Sequence, residues 1–149
     1  MIKREFDMRR PVKNWLFANG YLSAVEFWLH HGGITDIVAG RYAERTSRSI
    51  PKLLDVMAIE LKMHDVSGVL GQAIANSRVC ASYAAMPTER IRKMRGRTIE
   101  RFERHGIGLL AVDSHVTPVL TAKSDVMNIT ESARKQLWRR VRQYCQEVV

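Results

Sequence analysis

Cysteine is nearly absent from this sequence of 149 residues, which contains only Cys80 and Cys145. Two thiols are too few for a disulfide framework or a zinc site, so a reducing, cytoplasmic environment is the expected location. Long hydrophobic runs are also missing, and none approaches the ~20 residues of a membrane-spanning helix. Residues 1–7 have no apolar core, which argues against a signal peptide. We therefore expect no membrane partner.

Acidic residues are the minority among the charged side chains, with 15 Asp and Glu against 24 Lys and Arg and a formal net charge of +9. This excess favours a polyanionic partner, and we expect DNA, with RNA as the alternative. A basic enzyme without such a partner is the competing interpretation. A charged fraction of 26% beside 46% hydrophobic residues excludes a disordered chain, and the length suits a single domain over residues 1–149.

Hydrophobic periodicity predicts the element order α-β-β-β-α-β-α-β-β-α. The predicted helices cover 9–19, 65–77, 88–105 and about 129–147, and the predicted strands cover 21–29, 34–41, part of 50–63, 79–86, 107–112 and 116–120. Asp65 is the expected N-cap of the second helix. Three strands in a meander followed by a crossover helix predict an α/β fold with a mixed central β-sheet flanked by helices.

Local signals refine this outline. Pro11 suits the first turn of the first helix. Period-two alternation places Tyr21 and Phe27 on one face of the first strand and Glu26 on the other. Gly96 is a point at which the third helix could divide, because glycine is a poor helix former.

Two predicted strands carry charged residues among apolar ones, with Asp36 in the second and Glu60 and Lys62 in the third. Side chains at i and i+2 of a strand point the same way, so Glu60 and Lys62 are expected to share a face. Charged groups on an apolar strand are costly unless they have partners. If neighbouring strands bring Asp36 beside Glu60, the two carboxylates form a hard-oxygen site suited to Mg²⁺ or Mn²⁺. An ion-pair cluster without catalysis is the alternative.

The motif of Asp36, 23 intervening residues and then Glu60-Leu61-Lys62 resembles the PD-(D/E)xK nuclease-like superfamily. The predicted helix and strand before Asp36 and the crossover helix after Lys62 also resemble that family's core. The resemblance covers about residues 10–113. It implies a restriction-endonuclease-like α-β-β-β-α-β core, to which this chain adds a β-hairpin and a C-terminal amphipathic helix.

The resemblance also implies a role for each residue of the motif. Asp36 and Glu60 would ligate the divalent metal, with the Leu61 carbonyl as a backbone ligand. Lys62 would activate or position the attacking water. The implied cofactor is therefore Mg²⁺ or Mn²⁺.

Two further features of the family extend the candidate site. Many members carry an acidic residue upstream of the motif, and Glu26 is the expected one here, ahead of Glu5. Some branches carry Gln-x-x-x-Tyr on the helix after the motif. Gln72 matches the glutamine, but Asn76 stands in place of the tyrosine, which leaves the branch open. Lys62, Glu26 and Gln72 are thus the candidate catalytic residues, although Glu26 could equally be an exposed strand acid and Gln72 a solvated helix residue.

Positive charge concentrates in three places that could contact phosphates. The first set lies on the predicted third helix (Arg90, Lys93, Arg97, Arg101 and Arg104), the second near the connection after the second strand (Arg41, Arg45 and Arg48), and the third on the last helix. On a single helix, the first set would occupy one arc and follow a phosphate backbone. A solvated face is the competing interpretation of each set. Base-reading motifs are not evident, so recognition of shape or of ends is expected.

These observations favour a metal-dependent deoxyribonuclease acting in repair, recombination, restriction or defence. The first alternative is a nuclease-fold protein that binds nucleic acid without turnover. The second is an interaction subunit that docks through its last helix. A small nuclease domain often needs a second copy to cut both strands, so a homodimer is one expected assembly.

Overall fold

The computed structural model of the chain describes residues 1–30, 33–42, 53–123 and 130–145. The helices are α1 (Glu5–Ala18), α2 (Val66–Ser77), α3 (Thr88–Arg92), α4 (Gly96–Arg104) and α5 (Glu131–Cys145), and the strands are β1 (Tyr21–His30), β2 (Gly33–Tyr42), β3 (Leu53–Leu61), β4 (Ala81–Pro87), β5 (Gly108–Val112) and β6 (Val116–Leu120). The predicted element order is confirmed, with the third predicted helix divided into α3 and α4.

The strands form one six-stranded sheet in the order β1-β2-β3-β4-β5-β6. The first three make an antiparallel meander, β4 and β5 run parallel to β3, and β6 is antiparallel to β5. Parallel neighbours need a crossover, which α2 supplies before β4 and which α3 and α4 supply before β5. The prediction of an α/β fold with a mixed sheet flanked by helices is therefore confirmed. The carboxyl ends of β3, β4 and β5 meet at one edge.

Successive residues of the sheet face two different helical layers. On one face, Met8, Val12 and Leu16 of α1 pack with Ile37 and Ile59 of the central strands. On the other face, α5 covers the meander, and α2, α3 and α4 cover the parallel strands. Both faces are thus buried, as expected for a sheet with crossover helices.

The first helix is longer than predicted. It begins at Glu5, where the Asp7 carboxylate accepts hydrogen bonds from the main-chain N–H groups of Lys3 and Arg4. Pro11 therefore lies inside the helix and not in its first turn, which corrects the predicted start at residue 9. Gly20, with a φ of +83°, ends the segment in the left-handed conformation that the sequence indicates.

The predicted alternation of β1 is wrong in its second half. Tyr21 packs in the α1 layer, whereas Phe27 packs in the α5 layer together with Ala24. The physical reason is Glu26, whose φ of +53° is outside the extended region and shifts the alternation by one residue. The faces assigned by period two therefore hold only up to Val25.

The basic arc predicted on one continuous helix is also wrong. Arg95 has an extended ψ of 148°, so it interrupts the helix between α3 and α4. Arg90 consequently lies on α3, and Lys93 is the C-cap of that helix. Arg97 and Arg101 lie on α4. Arg104 is also on α4, so the five cations do not share the face of a single helix.

The last helix begins at Glu131, close to the predicted start at about 129. The Thr130 hydroxyl, just before it, accepts a hydrogen bond from the N–H of Ala133 at 3.0 Å. Leu137, Trp138 and Val141 are buried against the meander, so the apolar stripe of this helix is part of the core. Among the described helices, we find none with the length and apolarity required to cross a membrane.

Candidate functional site

Strands β2 and β3 separate at the point where the charged motif lies. Their register pairs Ile37 with Ile59, and the pairing ends there. Continuing the register would place Asp36 opposite Glu60. The main-chain N–H of Leu61 donates to Asp36 Oδ2 at 2.8 Å. A carboxylate thus takes the acceptor position that a strand carbonyl would otherwise occupy.

The carboxyl group of Glu60 is enclosed by protein, with only 4% of the residue exposed. Asn76 Nδ2 on α2 donates to Glu60 Oε1 at 2.8 Å. The Thr35 hydroxyl of β2 donates to Asn76 Oδ1 at 3.3 Å. Thr35 and Asn76 are both buried, so this relay fixes the orientation of Glu60 from two neighbouring elements.

The pKa of Glu60 is raised from 4.5 to about 7, chiefly because burial deprives the charged form of its hydration. The hydrogen bond from Asn76 opposes this increase, and the neighbouring negative charge of Asp36 contributes to it. The two carboxyl groups therefore interact directly, as the motif predicts. Two neighbouring carboxylates repel each other when both are ionised, and a cation between them stabilises the ionised pair.

Lys62 follows the last residue of β3, and its main-chain N–H donates to the Ala85 carbonyl at 3.0 Å. Its Nζ lies 3.7 Å from Glu5 Oε1 at the start of α1. The ammonium is thus directed to α1, whereas Glu60 is hydrogen-bonded to α2. Because β3 ends at Leu61, the alternation expected to place Lys62 on the face of Glu60 does not extend to it.

A pocket of about 320 Å³ opens beside Glu60. Thr35, Gln72 and Asn76 line it together with Glu60. The structure therefore brings the predicted Gln72 to the same pocket as the buried carboxyl group. Asn76, at the tyrosine position of the family signature, holds Glu60 directly.

Glu26 is not brought to the carboxylate pair. Its Oε1 accepts a hydrogen bond from Arg9 Nη2 of α1 at 2.7 Å, and its side chain is 62% exposed. Within the described ranges, no group of three or more Asp, Glu, His or Cys side chains is placed to hold a metal. Asp36 and Glu60 thus form a two-carboxylate site without a third acid.

The predicted nucleic-acid contacts differ in their surroundings. The guanidinium of Arg41 lies over the Tyr21 ring at 5.3 Å and is half-buried, so it takes part in packing. Arg45 and Arg48 lie outside the described residues. Arg90 is half-buried, whereas Lys93, Arg97 and Arg101 are exposed.

The donor set at the pair suits a hard divalent cation. Mg²⁺ in proteins is commonly held by one or two carboxylates, with water and substrate phosphate completing its shell. Asp36, Glu60 and the Leu61 carbonyl would hold it here. The placement of Asp36 at the main chain of Leu61, next to the Glu60 carboxyl group, fits a bound cation, since a cation relieves the repulsion between the two carboxylates.

Sequence reasoning missed the parts that Thr35 and Asn76 play. Asn76 is a buried polar residue, one helical turn after Gln72 and next to the buried Ser77. A polar side chain among the small and apolar residues of α2 was the available signal, since buried amides need partners. Nothing in the local pattern around Thr35 indicated its role.

A scan against protein-family models gives no match. A comparison with curated proteins also gives none. Among solved structures, the chain is similar to the SPO1766 protein of unknown function from Silicibacter pomeroyi, with a TM-score of 0.69 and 17% sequence identity, over 98% of this chain and 88% of that one. At this identity the similarity concerns the fold alone.

Proposed function

We propose that the protein is a metal-dependent nuclease that hydrolyses phosphodiester bonds of DNA. The observation that carries the proposal is the placement of Asp36 against the main chain of Leu61, next to the buried Glu60, where β2 and β3 separate. A net charge of +9 supports a polyanionic substrate. The resemblance of the motif to the PD-(D/E)xK superfamily supports the same reaction class.

Each residue has a distinct task in this proposal. Asp36 and Glu60 hold the cation, and the Asn76 amide keeps one Glu60 oxygen oriented. A divalent cation at this position would supply positive charge to a scissile phosphate and lower the pKa of a bound water. Lys62, at the end of β3, adds positive charge that stabilises developing negative charge on the phosphate oxygens. Glu5 holds its ammonium at the start of α1.

A cleavage assay with matched variants tests the proposal. Linear, circular and branched DNA are incubated with Mg²⁺ or Mn²⁺ and the wild type, Asp36→Asn, Glu60→Gln or Lys62→Ala. We expect each variant to lose cleavage by at least about a hundredfold, because Asp36→Asn and Glu60→Gln each weaken a ligand of the cation and Lys62→Ala removes positive charge near the phosphate. Glu103→Gln, on the exposed surface of α4, is the matched control and should cleave as the wild type does.

DNA binding in the absence of metal separates the alternatives. If the wild type binds DNA but no metal restores cleavage, the protein is a nucleic-acid-binding module without turnover. A Mn²⁺ titration that gives the same affinity with and without both carboxylates would reject the metal site. We also propose a cytoplasmic location, supported by the scarcity of cysteine and by the free, buried thiol of Cys80.

A further inference from the structure

A second and larger cleft, of about 760 Å³, lies between the first turns of α1 and the residues that follow β4 and β5. Ile2, Phe6 and Pro11 line one side, and Pro87 and Val112 line the other. A mostly apolar cleft of this size with a few polar groups at its rim is typical of a ligand site. We call it the α1 cleft.

Phe6 presents an aromatic ring to the α1 cleft, and 63% of the residue is exposed. The guanidinium of Arg9 lies 5.0 Å from the centre of that ring. Arg9 is in turn held by Glu26 at 2.7 Å. The ring is therefore supported by a cation fixed to β1, so an aromatic ligand that stacks on it meets a surface already in place.

Three carboxylates and two guanidinium groups among the described residues line the rim of the α1 cleft, and the guanidinium of Arg10 is the one available to an anionic group. The Asp7 and Asp113 carboxylates accept hydrogen bonds from main-chain N–H groups, and Glu89 is paired with Arg92 at 2.8 Å. Arg10 also lines the cleft and is exposed. Within the described part of the chain it has no ion-pair partner. A phosphate is the complementary group for such a guanidinium.

The α1 cleft and the ammonium of Lys62 both lie against the first turn of α1. Glu5, which pairs with Lys62, immediately precedes Phe6 in the chain. The strand ends that carry Lys62 and Pro87 lie on neighbouring parallel strands. A DNA strand with a phosphate at Lys62 therefore has the aromatic ring of Phe6 beside it.

We propose that the α1 cleft binds an unpaired base of a single-stranded or frayed DNA end, with the base stacked on Phe6 and a flanking phosphate at Arg10. This inference rests on the proposed function for the choice of nucleic acid as ligand. A base combines an aromatic face with an attached phosphate, which matches the ring and the guanidinium together. Base pairs inside a closed duplex cannot offer a free face to the ring.

The test measures DNA binding without cleavage. Fluorescein-labelled oligothymidylate of about 12 nucleotides is titrated by anisotropy in buffer containing a chelator, and the duplex probe is a covalently closed circular DNA, which has neither ends nor loops, titrated as a competitor. Phe6→Ala is compared with Phe17→Ala. Phe17 is a matched control, since it is 78% exposed on the same helix and lies about 16 Å further along its axis.

We expect Phe6→Ala to weaken binding of the single strand about tenfold and to leave duplex binding within about twofold, because one stacked base is lost. Phe17→Ala should bind both probes as the wild type does. Phe6→Trp restores the ring and should restore the affinity, which separates stacking from a loss of folding.

The opposite results overturn the inference. They are equal affinities of Phe6→Ala and Phe17→Ala for the single strand, an equal loss on duplex and single strand, no rescue by Phe6→Trp, or no binding of either probe. The binding assay is independent of the cleavage assay described above. A stacking effect in the first, with no nuclease activity in the second, therefore rejects the proposed function alone. Cleavage with no effect of Phe6→Ala rejects the α1 cleft alone.

Discussion

Glu60→Gln provides a quantitative test of the buried carboxyl pair. The pKa of Glu60 is about 7 in the folded chain, against an ordinary value of 4.5, so the folded state binds more protons than the unfolded state between these values. The free energy of unfolding therefore falls as the pH rises through this interval. The contribution of Glu60 is complete below its unfolded pKa and is lost above about pH 7.

The expected change in the free energy of unfolding follows from the interval between the two pKa values of Glu60. It corresponds to about 3 kcal/mol of stability lost from the metal-free protein between about pH 4.5 and about pH 8. For a chain of this length that is a fall in Tm of about 10 °C. Gln keeps the volume of Glu60, can accept the hydrogen bond from Asn76 and carries no charge beside Asp36. The stability of the Glu60→Gln variant should therefore lack this dependence on pH.

Urea unfolding of both proteins at several pH values, in buffer with a chelator, measures the difference. We expect the free energy of unfolding of Glu60→Gln to increase relative to that of the wild type as the pH rises, with the two curves diverging from about pH 5. Glu103→Gln, an exposed substitution, should run parallel to the wild type. A constant difference between wild type and Glu60→Gln over this range would refute the assignment of a raised pKa and of a repelling pair.

Two further predictions concern the scaffold and are checked by urea unfolding. Gly40→Ala should destabilise the protein by about 1–3 kcal/mol, because its Cβ would lie 2.5 Å from the buried Trp138 ring. Gly71→Ala, with open space around it on α2, should instead stabilise by about 0.5–1 kcal/mol, and equal effects of the two substitutions would contradict this reasoning. Asp65→Ala should cost about 1 kcal/mol by removing the N-cap bond to the Gly68 N–H, and Asp65→Asn should retain it.

The order of the elements could be predicted because it depends on local pattern. The hydrophobic stripe of α2 repeats with helical spacing, and β6 begins at Val116 and ends at Leu120 as predicted. The start of the first helix is less well predicted by the local pattern. The local pattern predicts Pro11 in the first turn, but the hydrogen bonds from the Lys3 and Arg4 N–H groups to Asp7 start the helix earlier.

The candidate site was only partly predictable. The motif indicated that Asp36 and Glu60 belong together, and the register of β2 with β3 supports this. The surroundings of Glu60 depend on Asn76 of α2, which packs against the sheet from elsewhere in the chain. The position of Glu26 depended on a backbone conformation that strand periodicity does not anticipate.

The sequence by itself determined the kinds of element, their order, the mixed sheet and the excess of positive charge, because these follow from neighbouring residues and from composition. Only the tertiary structure decided that Glu60 is buried against Asn76, that Lys62 pairs with Glu5, and that Glu26 supports Arg9. These contacts join residues far apart in the chain. Their partners are set by strand register and helix packing, which local periodicity does not specify.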